Sequence, residues 1–233
     1  MKCPICKGSH VIDLVYHQEV YRCITCDHLF RGNTDTFTYD FYQKHDYWYK
    51  DPIWRIFQKT YFAFFEQFIG RDPDVIEYGA ANGDFLHLVW MHMTQVMQIK
   101  PNIYYNELID IASPDFECFI PLDHRWIGPI EDLDGLVKNK FGNVFLIEVL
   151  EHFKDPQLCM DIIERQTKNG GRILIATDNG EHLNAANMMF QHQEHLNIFT
   201  QKSFEWMIKP FNFDMLLYWS SPVGKSYIVL EKK

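Results

Sequence analysis

The chain has 233 residues, 47% of them hydrophobic, enough for one sizeable core and a small appendage. Its formal net charge of −9 argues against nucleic acid as the main partner, because phosphate binding needs a concentrated basic surface. No stretch approaches the roughly 18 consecutive apolar residues of a membrane span, and Met1-Lys2-Cys3-Pro4-Ile5-Cys6 does not read as a signal peptide. The expected location is therefore the cytosol, where thiols stay reduced and paired cysteines point to metal rather than to disulfides.

Residues 1–31 carry Cys3-x-x-Cys6 and Cys23-x-x-Cys26. Each pair puts two thiolates on one tight turn, and two such knuckles supply a closed tetrahedral sulfur site suited to structural zinc. Residues 11–16 and 19–22 read as the hairpin between them. A site filled by four thiolates keeps no open position, so this zinc is not expected to be catalytic. His10, His17 and His28 then stand by. Thirty residues cannot bury enough apolar surface to fold alone, and the metal would supply that stability.

Residues 32–50 form a linker crowded with rings, among them Tyr39, Phe41, Tyr42, Tyr47 and Trp48. Such rings either pin the ribbon to a larger domain or roof its active site, with Tyr42 and Tyr47 the candidates for the second role. The larger domain spans 51–233. It opens on an expected helix from Asp51, with Pro52 in the first turn. Trp54, Phe57, Tyr61, Phe64, Phe65 and Phe68 recur at helical spacing as a core-facing stripe.

Val75-Ile76-Glu77-Tyr78 followed by Gly79-Ala80-Ala81-Asn82-Gly83 and then Asp84-Phe85-Leu86 reads as a buried strand, a glycine turn and a helix start. A dinucleotide loop wants G-x-G-x-x-G, but Ala81 and Asp84 occupy the second and third glycine positions. Glu77 at the strand end would repel a phosphate. It suits a ligand with an ammonium group, such as S-adenosylmethionine (SAM). The helix that follows, from Asp84, carries Leu86, Leu88, Val89 and Val96.

Residues 103–110 read as a second strand running into an acid: Glu107 is placed to accept hydrogen bonds from ribose hydroxyls, with Asp110 the alternative. A short third strand at 125–127 leads to Ile130, Glu131 and Asp132, where an adenine can rest. The fourth strand, Val144-Phe145-Leu146-Ile147, ends in Glu148-x-x-Glu151-His152. A helix over 155–168, with Leu158, Ile162 and Ile163 inward, leads through Gly170-Gly171 to a fifth strand ending at Thr177-Asp178-Asn179. The polar loop 180–197 is too long for a simple connector and holds Glu194-His195. Thr200 caps a helix through Pro210, and strands at 213–219 and 226–231 close the chain as a hairpin.

Taken in order, these motifs resemble the class I SAM-dependent methyltransferases over roughly residues 70–233. Glu77-x-Gly79-x-Ala81-x-Gly83 is similar to their first motif. The run from Glu148 to Pro156 resembles the fourth-strand signature, Gly170 to Asn179 the fifth strand, and Glu194-His195-Leu196-Asn197-x-Phe199-Thr200 a later loop. The resemblance implies an α/β, Rossmann-like fold with a mostly parallel seven-stranded sheet and an antiparallel last strand, beside the small zinc ribbon. It implies SAM held by Glu77, Gly79, Ala81, Asn82, Gly83, Glu107, Ile130, Glu131 and Glu148. The knuckles resemble those of a bacterial subgroup that methylates sugars and other small molecules. There, a tyrosine after the zinc module, a histidine after the fourth strand and a Glu-His pair surround the acceptor. The matching positions are Tyr42 or Tyr47, His152, Glu194 and His195.

SAM is already activated, so the protein mainly positions the acceptor and removes its proton. His195 is the expected base, Glu194 its orienting neighbour and His152 the second candidate. The expected acceptor is a sugar or another hydroxylated metabolite. Two other readings stay open: an RNA methyltransferase that uses the zinc module for recognition, and a SAM-binding regulatory protein without turnover.

Overall fold

The computed structural model describes residues 1–14, 19–32, 52–107, 122–133, 138, 140–181, 194–222 and 224–233. Eleven strands fall into two sheets among these residues. The larger sheet comprises β4 (Asp74–Tyr78), β5 (Asn102–Glu107), β6 (Leu122–Ile127), β7 (Phe141–Ile147), β8 (Thr167–Asp178), β10 (Phe213–Ser220) and β11 (Lys225–Lys232). Their spatial order is β10-β11-β8-β7-β4-β5-β6. The five strands from β4 to β8 run parallel, and β11 runs antiparallel to both its neighbours. The expected fold, a mostly parallel seven-stranded sheet with a reversed last strand, is the one observed.

Every residue of β4 and β7 is buried, as central strands covered on both faces must be. Four helices supply cover: α1 (Pro52–Phe65), α2 (Asp84–Met91), α3 (Pro156–Gln166) and α4 (Gln201–Ile208). Tyr61 and Phe65 of α1 pack with Val89 of α2 and with Ile103, Phe145 and Val229 on one face of the sheet. Met160 and Ile163 of α3 and Phe204 and Met207 of α4 pack with Ile76, Val144, Ile173 and Ile228 on the other. Asp155 caps α3 through Gln157 N and Leu158 N, and Thr200 with Ser203 closes a reciprocal capping box on α4.

Two expected core residues, Phe57 and Leu158, face out instead, as does Val96 of the second helix. Phe57 is 48% exposed because it lies one position out of phase with the buried face of α1, made by Gln58, Tyr61 and Phe65. Val96 lies in the π turn His92–Val96, whose wider spacing rotates the helix face and turns Met93 inward. Leu158 is exposed beside buried Cys159 and Met160, one step out of phase with the apolar stripe of α3.

The smaller sheet is β1 (Val11–Asp13), β2 (Val20–Cys23), β3 (Leu29–Arg31) and β9 (Asn197–Ile198), in that order. Only the first three come from the cysteine-bearing segment. The fourth comes from the segment after the long polar loop and pairs antiparallel with β3. Among the described residues, no helix is long and apolar enough to cross a membrane.

Asn143 is a fully buried polar residue inside β7. Its side chain accepts from Gly70 N at 2.6 Å and donates to Gly70 O at 3.1 Å and Asp72 O at 2.9 Å, fixing the turn that feeds β4. Asn143→Ala removes the partner of three part-buried backbone groups and leaves a gap in a fully buried strand, and is expected to cost about 2–4 kcal/mol. Thermal unfolding should fall by roughly 5–10 °C. A change of less than about 2 °C would mean the turn does not depend on this amide.

Candidate active site

The carboxyl ends of the parallel strands share one edge, and the glycine loop lies there. Gly79, Ala81 and Gly83 all take left-handed backbone conformations, with φ of 65°, 48° and 80°. A Cβ at Gly79 would meet a Val149 methyl at 2.4 Å, so glycine is required there by the neighbouring loop as well as by φ. Ala81 pays about 1 kcal/mol for its conformation, and the Tyr105 hydroxyl donates to its carbonyl at 2.5 Å to hold it. The Asn82 side chain accepts from Asp84 N at 3.2 Å and opens α2. Asn106 ties three strand ends together: its carbonyl accepts from Ala80 N at 3.0 Å, and its amide donates to Gly128 O at 3.1 Å.

Glu77, 2% exposed, stands at the end of β4 just before this loop. A buried carboxylate repels a dinucleotide's phosphates and suits an ammonium group or ribose hydroxyls, so the donor set fits SAM. Ile130 is buried in the 3₁₀ turn Ile130–Leu133 after β6. The side chains of Glu107 and Glu131, and residues Tyr42 and Tyr47, lie outside the described set.

Beside the loop, at the ends of β7 and β8, is a buried ionic cluster. Glu148 follows β7 with φ of 58°, a strained conformation for a glutamate. Its carboxylate pairs with Lys225 Nζ. The same ammonium lies 2.7 Å from Asp178 Oδ1, and Asp178 Oδ2 lies 2.5 Å from His195 Nδ1. Lys225 is the register partner of Asp178 across the antiparallel β11–β8 pair, so strand pairing itself delivers the lysine. Glu151, fully buried, accepts from the Thr177 hydroxyl at 2.8 Å. The His152 and His195 rings meet edge to face, with centroids 4.9 Å apart.

Burial and charge divide the roles of these groups. Burial pushes the Glu151 carboxyl up to about 8, helped by the charges of Glu148 and Asp178. Burial pushes the His152 imidazole down to about 3, which keeps it neutral. It also raises the Glu148 carboxyl, against the attraction of Lys225. Burial would lower His195 as well, but the hydrogen bond to Asp178 and the charges of Asp178 and Glu151 outweigh it, and the net shift is upward. Burial likewise opposes ionisation of Asp178, yet Lys225 and His195 hold it below its ordinary value. Because Asp178 accepts from Nδ1, a neutral His195 carries its lone pair on Nε2. His152 Nδ1 donates to the Glu194 carbonyl at 3.1 Å, so here too the lone pair falls on Nε2.

The segment carrying His195 is strapped on both sides. Leu196 N donates to Glu151 O at 2.9 Å, and Phe199 bridges Asn179. On the ribbon side, Arg31 N donates to Leu196 O at 2.9 Å and Arg31 Nε to His195 O at 3.2 Å. Buried His28 lies 3.0 Å from Asn197 Oδ1, and Asn197 donates to Phe153 O at 2.6 Å. His28 thus holds the strap rather than standing by. Lys225 carried no recognisable motif in the sequence. The signal that could have found it was its place at the start of a strand running opposite to one that ends in an acid.

In the ribbon, the sulfurs of Cys3, Cys6, Cys23 and Cys26 lie within 4.8 Å of one another. Cys3–Cys26 at 3.6 Å and Cys6–Cys23 at 3.4 Å are too far apart for disulfides. Both are near the sulfur–sulfur edge of about 3.8 Å in a tetrahedral zinc–thiolate site. The hydrogen bond from Cys26 lowers the Cys3 thiol to about 5 against the effect of burial. The donor set fits a closed four-thiolate metal site.

Comparison with known proteins agrees with this geometry. The family model described as a methyltransferase domain matches residues 53–218. No curated protein matches the sequence significantly. Among solved structures, a chain of the complex between the Haloferax volcanii Trm112 methyltransferase activator and its assigned methyltransferase superposes with a TM-score of 0.64. It is 12% identical, over 80% of this chain and 96% of that one. The Burkholderia thailandensis 1,6-didemethyltoxoflavin-N1-methyltransferase, solved with its substrate and S-adenosylhomocysteine, gives 0.61 at 13% identity, over 92% of this chain and 99% of that one. A SAM-dependent methyltransferase from Archaeoglobus fulgidus gives 0.58 at 13% identity, over 83% and 100%. With the glycine loop, the acid at the end of β4, the reversed β11 and the family match over most of its length, the chain belongs to the class I SAM-dependent methyltransferases.

Proposed function

We propose that this protein methylates a small hydroxylated metabolite, with His195 as the general base. The observation that carries the reading is the 2.5 Å pairing of His195 Nδ1 with Asp178, itself held by Lys225, at the edge where the glycine loop lies. When bound, SAM supplies a sulfonium methyl group poised for displacement. Glu77, Gly79, Ala81, Asn82, Gly83, Glu107, Ile130 and Glu131 hold it, and Glu148 borders it. Asp178 fixes the tautomer and orientation of His195, so that the acceptor's proton passes to Nε2. Neutral His152, kept in place by the Glu194 carbonyl, offers a second lone pair to the acceptor's hydroxyls. Tyr42 and Tyr47 complete the acceptor's surroundings. That the Burkholderia enzyme acts on 1,6-didemethyltoxoflavin supports a small-molecule acceptor.

The ribbon's role in this reading is to hold the base. A structural zinc on Cys3, Cys6, Cys23 and Cys26 rigidifies β2 and β3, and β3 carries Arg31 and the pairing with β9 that fix the strap behind His195.

The first test is methyl transfer from radiolabelled SAM to a panel of hydroxylated small molecules, with bulk RNA as the competing substrate. On the acceptor so found, His195→Gln should lower turnover about 10²-fold or more while S-adenosylhomocysteine affinity by calorimetry is unchanged. Turnover within about threefold of wild type would remove His195 as base.

The sign of the pH dependence follows from the raised His195 pKa. The basic form exists only above it, so kcat/KM should rise with pH through a midpoint above the usual value of about 6.5. NMR titration of the His195 ring should show that midpoint directly. Asp178→Asn leaves burial in control and moves it down. Lys225→Met removes a cation and moves it up. A midpoint unmoved in both variants would break the link between these groups.

Stripping the metal with a chelator should abolish turnover and leave S-adenosylhomocysteine affinity within about threefold, because the glycine loop rests on other strand ends. Full turnover in protein shown by metal analysis to be zinc-free would contradict the ribbon's role.

A further inference from the structure

The turn after β7 and the strap bring Glu151, His152 and His195 to one point. A carboxylate oxygen of Glu151 and one ring nitrogen of each histidine lie within 4.8 Å of one another. An ion centred among three atoms at that widest spacing sits about 2.8 Å from each, and zinc bonds to nitrogen or carboxylate oxygen are about 2.1 Å. Closure therefore takes less than about 1 Å of movement per ligand. Glu151 is fully buried, and its Oε2 accepts from the Thr177 hydroxyl at 2.8 Å. Its Oε1 is also buried and has no hydrogen-bond partner among the described residues. A carboxylate oxygen left this way is costly, and a bound cation accounts for it. His152 is partly exposed, which gives an ion a way in.

Both histidines are already held as metal ligands are held. A ligating imidazole donates its other N–H to a carboxylate or a backbone carbonyl, which fixes the tautomer and aims the lone pair. His195 gives Nδ1 to Asp178 at 2.5 Å, and His152 gives Nδ1 to the Glu194 carbonyl at 3.1 Å. Charge favours a cation as well. Carboxylate oxygens of Glu148, Glu151 and Asp178 lie within 4.8 Å of one another, and Lys225 contacts only Glu148 and Asp178 of the three. We infer that Glu151, His152 and His195 form a second metal site, apart from the four-cysteine knuckles, that takes a divalent transition-metal cation of the zinc class and thereby blocks methyl transfer. Two imidazoles and one carboxylate select such a cation over magnesium, which favours oxygen ligands. The blocking rests on the reading of His195 as the base, because one Nε2 lone pair cannot hold a metal and accept a proton together. The ion and the acceptor compete for the same two imidazoles. Two zinc ions thus act oppositely on one chain: the ribbon ion holds the strap, and the second disables the base that the strap carries.

The test starts from the full chain, shown by metal analysis to carry only its ribbon zinc. Zinc chloride is titrated in by calorimetry, and cobalt(II) separately by visible absorption. A further equivalent should bind with a Kd of about 10 μM or tighter. Cobalt bound there should lack the thiolate charge-transfer bands of a four-cysteine site. Glu151→Gln and His152→Gln should each weaken this equivalent at least about tenfold, with thermal unfolding and S-adenosylhomocysteine affinity as controls of the fold. If one variant fails to fold, the other decides. Magnesium at about 10 mM should not displace the ion. On an acceptor found as above, turnover should fall in step with filling of the second equivalent and recover as the acceptor concentration rises. No further equivalent up to about 1 mM zinc, or one that keeps wild-type affinity in both variants, would overturn the site. Turnover that rises as the second equivalent fills would overturn the blocking. Full turnover in His195→Gln, with the second ion still binding the wild type, would instead remove the base and leave the metal site standing.

Discussion

The site depends on one cross-strand pair. Asp178 ends a parallel strand and Lys225 begins an antiparallel one, so the two face each other at the same edge of the sheet. A lysine buried between two carboxylates would be costly alone. Here Glu148 and Asp178 both contact it, and their combined charge keeps it protonated despite burial. Removing it would leave two buried carboxylates beside a third, Glu151, with only His195 to offset them. A parallel last strand would put its first residue at the opposite edge of the sheet, and no cation would reach this cluster.

From that pair the order of the site follows outward. Lys225 fixes Asp178, Asp178 fixes the tautomer of His195, and the strap carrying His195 is held between β8 and the ribbon. The strain stored at the same edge fits this arrangement. Ala81 and Glu148 both hold left-handed conformations, and both sit where loops from adjacent strands converge. Glu148 tolerates its conformation because the Glu148 amide donates to Ala176 O at 2.9 Å while its side chain pairs with Lys225.

The ribbon and the larger domain share a small sheet and a core cluster. β9 belongs to the ribbon's sheet by hydrogen bonding and to the larger domain by sequence. His28 and Phe30 of the ribbon pack with Phe199 of the strap in a shared apolar cluster or ring contact. A stretch too small to bury its own core thus gains stability from the domain it buttresses.

The parallel sheet and its reversed end were implied by the resemblance of the ordered motifs to a known family; the strands, the glycine loop and the four-cysteine knuckles were legible in the local pattern of the chain. Each is written in short-range signals: runs of β-branched residues, left-handed glycines, and cysteine spacing. It also placed His152 just past the fourth strand and Glu194-His195 in the polar loop after the fifth. What only the tertiary structure decided are the relations between distant segments. The pairing of residue 178 with residue 225, the addition of residues 197–198 to the ribbon's sheet, and the meeting of His195 with Glu151 and His152 have no local signature. Nor do the outward turns of Phe57 and Val96, which depend on which face of a helix is buried and on one π turn. Periodicity reports which face of an element is apolar, but what that face meets is set by strand register and chain reversal, which act over the whole fold.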